Sequence, residues 1–340
     1  MPTAPGWASA PPEQQKVADR AGMRSAELVV GPWNALCLVR ATFLPRSIIM
    51  AASACSAGLD TGFAALDFGQ VVVLGLVQGV SELLPISSTA HMRVVPALLG
   101  WQDPGSAFSA LMQLAALAAV VSYFRRDVGK IARGGLATLR TRKFATGPGR
   151  LALGIVLATI PIVLAGVALA PLLNRCGSPL RSLEVIGATS LAMALLLAAT
   201  EWFASHRRTV EQASWRDFLL AGLAQVGALI PGVSRSGSTL TAALGLGFKR
   251  DEAARLSFLI GLPAIALAGL KEAWEIAKVG IDSHATALLA VGLIAGSLAS
   301  FAAIWGLMRY LERMSSWVFV IYRAGMGIFL LWAVATGLLA

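Results

Sequence analysis

Charged residues are scarce in this chain of 340 amino acids. Asp, Glu, Lys and Arg make up 14% of it, whereas 56% of the residues are hydrophobic and the mean hydropathy is +0.71. A soluble domain carries roughly a quarter charged residues, so this composition excludes an ordinary soluble protein. The chain must bury most of its surface in lipid.

Cysteine is also rare. The sequence has three, Cys37, Cys55 and Cys176. Their number is odd and their spacing matches neither a metal site nor a redox motif. We therefore expect no disulfide framework.

Acidic residues are fewer than basic ones, and the formal net charge is +10. The excess is concentrated between two apolar runs, where Asp127 is the acidic residue among Arg125, Arg126, Lys130, Arg133, Arg140, Arg142, Lys143 and Arg150. Such a basic loop is typical of the cytoplasmic side of a bacterial inner membrane, rather than of a protein that binds nucleic acid. Counting crossings from this loop places 174–182 and 271–284 outside, and Arg207, Arg208 and Arg216 inside.

Six apolar runs are long enough to cross a bilayer as helices, which takes about 20 residues. They cover residues 107–124, 151–173, 183–203, 254–270, 285–308 and 317–339.

Two further apolar regions are interrupted, at Pro85 and at Pro231, and each half is too short to cross. Irregular backbone at membrane depth survives only beside protein or water. The sequence predicts an all-α polytopic membrane protein with six transmembrane helices and two re-entrant helical hairpins.

The two interrupted regions resemble each other. Leu-Val-Gln from Leu76 precedes Pro85 and Ser-Ser-Thr, and Leu-Ala-Gln from Leu223 precedes Pro231 and Ser-Arg-Ser-Gly-Ser-Thr. The hairpins enter from opposite faces in the topology above, which is the inverted-repeat arrangement that builds a site near the midplane. We expect a poorly ordered extension over 1–60 and a membrane domain over 61–340. The domain divides into repeat one at about 66–173, repeat two at about 183–308 and a final helix at 317–339.

The first hairpin contains the polar segment QGVSELLPISSTAH, residues 78–91. Gln78 and Glu82 share one helix face, and so do Ser88 and His91, so that Glu82 and His91 can converge across the turn. Burying these polar groups in lipid costs free energy, which favours a functional role for them. Two alternatives stay open: Ser87 or Ser88 simply caps the second half-helix, and Glu82 is a neutral acid bound to backbone.

The second hairpin contains PGVSRSGST, residues 231–239. Arg235 lies there among hydroxyl groups, and its planar guanidinium matches phosphate oxygens bidentately. The N-terminus of the following half-helix adds to an anion site. A structural bridge from Arg235 to Glu82 is the alternative. The candidate substrate-binding residues are Gln78, Ser87, Thr89, Ser234, Ser236, Thr239 and Gln113, whereas the role of Arg323 stays open. His206 and His284 lie in predicted loops.

These two segments resemble the undecaprenyl-diphosphatase family, the bacitracin-resistance type of polyprenyl diphosphate phosphatase, over roughly residues 66–340. The family's E/Q-G-x-x-E stretch leading into P-x-S-S-T-G-H is matched by Gln78, Gly79, Glu82, Pro85, Ser87, Ser88, Thr89 and His91. Its P-G-x-S-R-S motif is matched by Pro231, Gly232, Ser234, Arg235 and Ser236. Gln78 replaces a frequent Glu, and Ala90 and Ala115 replace glycines.

The resemblance implies that undecaprenyl diphosphate loses one phosphate on the outer face of the inner membrane. This reaction recycles the lipid carrier for peptidoglycan synthesis and gives resistance to bacitracin. The implied partners are the polyprenyl diphosphate lipid and membrane lipids, and a homo-oligomer is left open. A divalent cation, Mg²⁺ or Ca²⁺, is left open too, with Glu82 as its expected ligand.

The resemblance assigns catalytic roles to Glu82, Ser88, His91 and Arg235. We expect Arg235 to hold the diphosphate while Ser88 attacks the terminal phosphorus or positions a water molecule. His91 is expected to be the base beside Ser88, with Glu82 orienting it or assisting a cation. A transporter of a polyprenyl phosphate lipid is the alternative class, because inverted repeats with broken helices are common among transporters.

Overall fold

The computed structural model describes residues 61–141, 147–173, 180 and 182–339. The predicted extension over 1–60 and the three cysteines lie outside these residues. The described helices are α1 (Phe68–Leu83), α2 (Ser88–Leu99), α3 (Gly105–Tyr123), α4 (Arg125–Thr141), α5 (Gly147–Leu173), α6 (Leu183–Phe203), α7 (Trp215–Val226), α8 (Arg235–Gly245), α9 (Arg250–Val279), α10 (Ser283–Leu311) and α11 (Trp317–Ala335).

The six predicted spans are confirmed as helices. In the described part of the chain, α3, α5, α6, α9, α10 and α11 are long and apolar enough to cross a membrane. The all-α polytopic fold class is confirmed with them. Each interrupted region precedes three helices of spanning length in chain order, whereas the repeat boundaries stay a prediction.

Proline lies in the break of both short helix pairs. The residue before proline avoids the helical region, and the residues that precede Pro85 and Pro231 are both extended, with ψ of 145° at Leu84 and 121° at Ile230. Helices α1 and α2 have 16 and 12 residues, and α7 and α8 have 12 and 11. These lengths fit the predicted hairpins, and the side of the membrane from which each pair enters stays a prediction.

Two predicted loops are wrong. The basic stretch after residue 124 contains helix α4, because Val128 and Ile131 are three residues apart and pack one face against the core. The predicted outer loop over 271–284 is mostly helix, since α9 continues to Val279 and α10 starts at Ser283. Polar residues continue a helix past an apolar run when water or neighbours solvate them. His284 therefore lies in α10 rather than in a loop.

Each short helix pair packs its first helix against a long helix of the other half of the chain. Helix α1 contacts α10 so closely that a Cβ atom at Gly79 would lie 2.4 Å from the carbonyl oxygen of Gly296. Helix α7 contacts α5 in the same way, and a Cβ atom at Gly222 would lie 2.4 Å from the carbonyl oxygen of Ala158. Small residues allow this backbone approach in membrane helices. Each predicted repeat thus packs one of its helices against a long helix of the other repeat.

We expect Gly79→Ala to lower the melting temperature of the purified protein in detergent. The added methyl group meets backbone rather than a flexible side chain, and overpacking of this kind costs about 1–3 kcal/mol. Gly306→Ala is the matched control, because that position on α10 has nothing within 4 Å of an added Cβ atom. Equal melting temperatures for the two variants would contradict the close contact between α1 and α10.

Candidate active site

Glu82 lies at the centre of a buried polar cluster near the end of α1, where its side chain is 6% exposed. Oε1 accepts a hydrogen bond from Nη2 of Arg235 at 2.6 Å. Oε2 accepts from the Ser88 hydroxyl at 2.7 Å and from Nε2 of Gln78 at 2.9 Å. A buried carboxylate needs such partners, because an unpaired charge in an apolar medium is very costly. The cluster joins the two predicted motifs at one side chain.

Ser88 and Arg235 occupy equivalent positions, as the first residues of α2 and α8. The preceding residues, Ser87 and Ser234, cap these helices by accepting from the backbone N–H of Ala90 at 3.4 Å and of Gly237 at 3.2 Å. Both caps have positive φ, 72° and 68°, a region that costs energy for residues other than glycine. The repeated strained turn aims both first residues at Glu82.

His91 has other partners than Ser88. Its Nδ1 lies 2.7 Å from the carbonyl oxygen of Ser87, which can only accept, so Nδ1 carries a proton. In the neutral ring, Nε2 then accepts from the hydroxyl of Tyr322 at 2.6 Å, and the two rings stack with centroids 5.7 Å apart. The expectation that Ser88 and His91 form one pair is therefore not met. Side chains tilt toward the N-terminus of their helix, so Ser88 reaches back across the break to Glu82.

Besides Ser87, three of the predicted substrate-binding hydroxyls have protein partners. Ser236 donates to the carbonyl oxygens of Glu82 and Leu84, each at 3.1 Å. Thr239 donates to the carbonyl oxygen of Arg235 at 2.8 Å, and Ser234 caps α8. The two bonds of Ser236 tie the start of α8 to the end of α1, whereas those of Thr239 and Ser234 stabilise the first turn of α8 itself. We therefore propose a positioning role for these three residues rather than direct substrate contact.

Arg323 connects the two breaks. Its side chain is 1% exposed, and Nη1 donates to the carbonyl oxygen of Pro85 at 3.1 Å. Nη2 donates to the carbonyl oxygens of Gly232 at 2.8 Å and Val233 at 3.1 Å. Interrupted helices leave such carbonyl groups without intrahelical partners, and buried backbone groups must be paired. The role that the sequence leaves open is thus a bridge from α11 to both turns.

A cavity of about 200 Å³ lies beside Ser88. Of the predicted residues, Gln78, Ser88, Thr89 and Gln113 line it. Its wall also includes Arg93, Asp103, Ser106 and Ser109, which sequence reasoning missed. An arginine two residues after His91 in an apolar helix was the available signal for Arg93, whereas Tyr322 could be found only from the tertiary structure.

The residues present do not form a ready cation site. No group of three or more His, Cys, Asp or Glu side chains suited to a metal occurs in residues 61–141, 147–173 and 182–339. Both oxygens of Glu82 already accept hydrogen bonds, and Arg235 places a positive charge 2.6 Å from one of them. That guanidinium would compete with a divalent cation for the carboxylate.

The fold and the site define a multi-pass helical membrane protein with a buried carboxylate, serine and arginine where two interrupted helix pairs meet. Residues 71–329 match the family described as bacitracin resistance protein BacA. The chain belongs to this family, which confirms the resemblance seen in its two motifs.

Similar proteins cover most of the chain. Undecaprenyl-diphosphatase 2 of Mesorhizobium japonicum is 67% identical over 264 residues, which is 78% of this chain and 100% of that protein. Undecaprenyl-diphosphatase of Synechococcus elongatus is 48% identical over 275 residues, or 81% of this chain and 96% of that protein. The protein of the same name from Gloeobacter violaceus is 49% identical over 270 residues, with 79% and 93% covered.

We expect Arg323→Lys to destabilise the protein strongly. An ammonium group lacks the fork that reaches carbonyl groups of both turns, and buried acceptors left unpaired cost about 1–3 kcal/mol each. The measurement is the melting temperature in detergent, with the exposed Arg313→Lys as control. A melting temperature of Arg323→Lys like that of the control would show that the bridge contributes little.

Proposed function

We propose that this protein hydrolyses undecaprenyl diphosphate to undecaprenyl phosphate and inorganic phosphate. The observation that carries the proposal is the Ser88 hydroxyl, 2.7 Å from the buried carboxylate of Glu82 and on the wall of a polar cavity. A serine becomes a nucleophile when a base accepts its proton. The names of the relatives, which this chain covers almost completely, support the same substrate. The product would return to peptidoglycan synthesis as the lipid carrier.

In the proposed first step, the Ser88 oxygen bonds to the terminal phosphorus and Glu82 takes the hydroxyl proton. The bridging P–O bond breaks, and its electron pair leaves with undecaprenyl phosphate. In the second step, water attacks the phosphoserine; one of its hydrogens goes to the departing Ser88 oxygen, and phosphate leaves with the other. Glu82 then releases its proton to solvent. Glu82 thus replaces His91 as the base beside the nucleophile.

Direct attack by water is the other route to the same products. Ser88 would then hold a water molecule, with Glu82 accepting its proton indirectly. Phosphoserine forms only in the first route, so rapid quenching during turnover and mass analysis of the peptide that contains Ser88 separates them. A phosphorylated peptide supports covalent catalysis.

Arg235 has two roles in the proposed chemistry. It fixes Glu82 through Nη2, while Nη1 donates to the carbonyl oxygen of Gly261 at 3.1 Å. Its charge also lies close enough to Ser88, through their shared carboxylate, to stabilise the negative charge of the transferring phosphoryl group. Phosphoryl transfer depends mainly on positioning and charge stabilisation, which suits this arrangement.

The reaction is proposed for the periplasmic side of the bacterial inner membrane. The support is the distribution of positive charge, which favours a cytoplasmic position for the segment with Arg125, Arg126, Lys130 and Arg133 and an outer position for the first hairpin. Cysteine substitution of Thr89, which is exposed and lines the cavity, tests this orientation in a variant whose own three cysteines are replaced by serine, with that variant as the control. Labelling of intact spheroplasts by a thiol reagent that does not cross membranes supports a periplasmic opening.

We expect Ser88→Ala and Glu82→Gln each to lower phosphate release from a short-chain prenyl diphosphate by at least about 100-fold. Each change removes one member of the nucleophile and base pair, and such pairs contribute about 10²–10⁴-fold. The double variant should be scarcely slower than either single one, since residues that act as a unit are strongly non-additive. Purified proteins in detergent are compared with wild type, with melting temperatures to check that each variant folds and with Ser109→Ala from the cavity wall as control.

An active Ser88→Ala protein would remove the catalytic role of the serine, and losses that simply multiply would argue against a joint role with Glu82. Wild-type protein that binds the prenyl diphosphate without releasing phosphate would instead indicate a carrier.

Tyr322→Phe should lower kcat by about tenfold and leave KM nearly unchanged, because it removes one hydrogen bond that orients His91, which holds the turn before Ser88 through the carbonyl oxygen of Ser87. His91→Ala should have an effect at least as large, and adding Tyr322→Phe to it should change nothing further. Tyr310→Phe serves as the control for loss of a hydroxyl group near the end of α10. Independent effects of Tyr322→Phe and His91→Ala would contradict the orienting role of Tyr322.

A further inference from the structure

The cavity beside Ser88 has an uneven distribution of charge. Among the described residues that line it, the charged ones are Arg93 and Asp103, and the rest of its polar wall is neutral. Arg235 lines a separate, much smaller pocket with Glu82 and Gly261. A diphosphate that enters the cavity therefore meets Arg93 as the cation on the wall itself. The motifs give this arginine no role.

Arg93 is held in a position from which it can change partner. Its Nη1 contacts Oδ2 of Asp103 at 3.0 Å, and the two side chains are 40% and 49% exposed. An ion pair this exposed contributes little stability, because water and ions screen it. The guanidinium has five N–H donors, so the contact through Nη1 leaves others for an anion.

Asp103 is fixed independently of Arg93. Its other oxygen, Oδ1, accepts a hydrogen bond from the backbone N–H of Gly105 at 2.9 Å, at the start of α3. The carboxylate is thereby anchored to the backbone, and it holds Arg93 at the cavity. Arg93 and Ser88 both belong to α2, five residues and about 7.5 Å of helix rise apart.

We propose that Arg93 is a substrate-binding residue that holds the diphosphate of the lipid, on the phosphate next to the prenyl chain, while the terminal phosphate reaches Ser88. Asp103 keeps the guanidinium in place in the free protein and yields it to the phosphate when the lipid binds. Arginine is suited to this exchange because its fork fits carboxylate and phosphate oxygens alike. The proposal rests on the proposed function, since it concerns the same substrate.

The alternative is that Arg93 and Asp103 are only a structural tie between α2 and the start of α3. The two roles predict different signs for two substitutions. Arg93→Gln and Asp103→Asn both break the ion pair, so a structural tie predicts the same effect from both. A binding role predicts opposite effects, because Asp103→Asn frees Arg93 and removes a negative charge that repels the diphosphate. Asparagine also keeps an acceptor for the backbone N–H of Gly105.

The experiment measures KM and kcat for phosphate release from farnesyl diphosphate by purified wild type, Arg93→Gln, Arg93→Lys and Asp103→Asn. We expect Arg93→Gln to raise KM by about tenfold with kcat changed less than about twofold, as for loss of a charge-assisted hydrogen bond. Arg93→Lys should fall between this variant and wild type, and Asp103→Asn should lower KM. Unchanged KM in Arg93→Gln, or a parallel rise of KM in both Arg93→Gln and Asp103→Asn, would overturn the proposal.

A binding measurement keeps the test independent of turnover. In a Ser88→Ala background, the Kd for farnesyl diphosphate is measured by titration calorimetry, with melting temperatures to check that each variant folds. Adding Arg93→Gln should raise Kd by about tenfold, and adding Asp103→Asn should lower it. If wild type released no phosphate, the proposed function would fail, whereas the Kd values would still support or overturn the binding role of Arg93.

Discussion

The structure depends on one buried ion pair, between Glu82 of α1 and Arg235 of α8. Neither side chain is tolerable alone at this depth, since an isolated charge in an apolar medium costs far more than any single contact returns. The pair therefore requires the two interrupted regions, 153 residues apart in sequence, to meet face to face. Ser88, which contacts the same carboxylate, therefore lies near the positive charge of Arg235.

The near-repetition of the two motifs explains how one carboxylate serves both. Each proline lies in the break between two helices, a serine shortly after it adopts a strained positive φ, and the residue after that serine begins a new helix aimed at the centre. In the first repeat that residue is Ser88, and in the second it is Arg235. The same local geometry thus presents a hydroxyl from one side and a guanidinium from the other.

Interrupting helices inside a membrane protein frees carbonyl groups that lipid cannot solvate. Arg323 resolves this for both turns at once, binding carbonyl oxygens of Pro85, Gly232 and Val233 from the last helix. Glycines allow α1 and α7 to pack closely against long helices, because a side chain there would meet the backbone of the neighbouring helix. The polar site is therefore supported by backbone contacts, which hold its side chains in place without closing the cavity beside Ser88.

The sequence by itself determined the six spans, the two interruptions and the residues that surround Glu82, because long apolar runs and buried polar residues leave few alternatives. Only the tertiary structure decided how those residues pair. Spacing within α2 suggested that Ser88 and His91 act together, yet Ser88 binds Glu82 across the break and His91 binds Tyr322, 231 residues away. Hydrogen-bond partners depend on the packing of distant helices, which local periodicity does not specify.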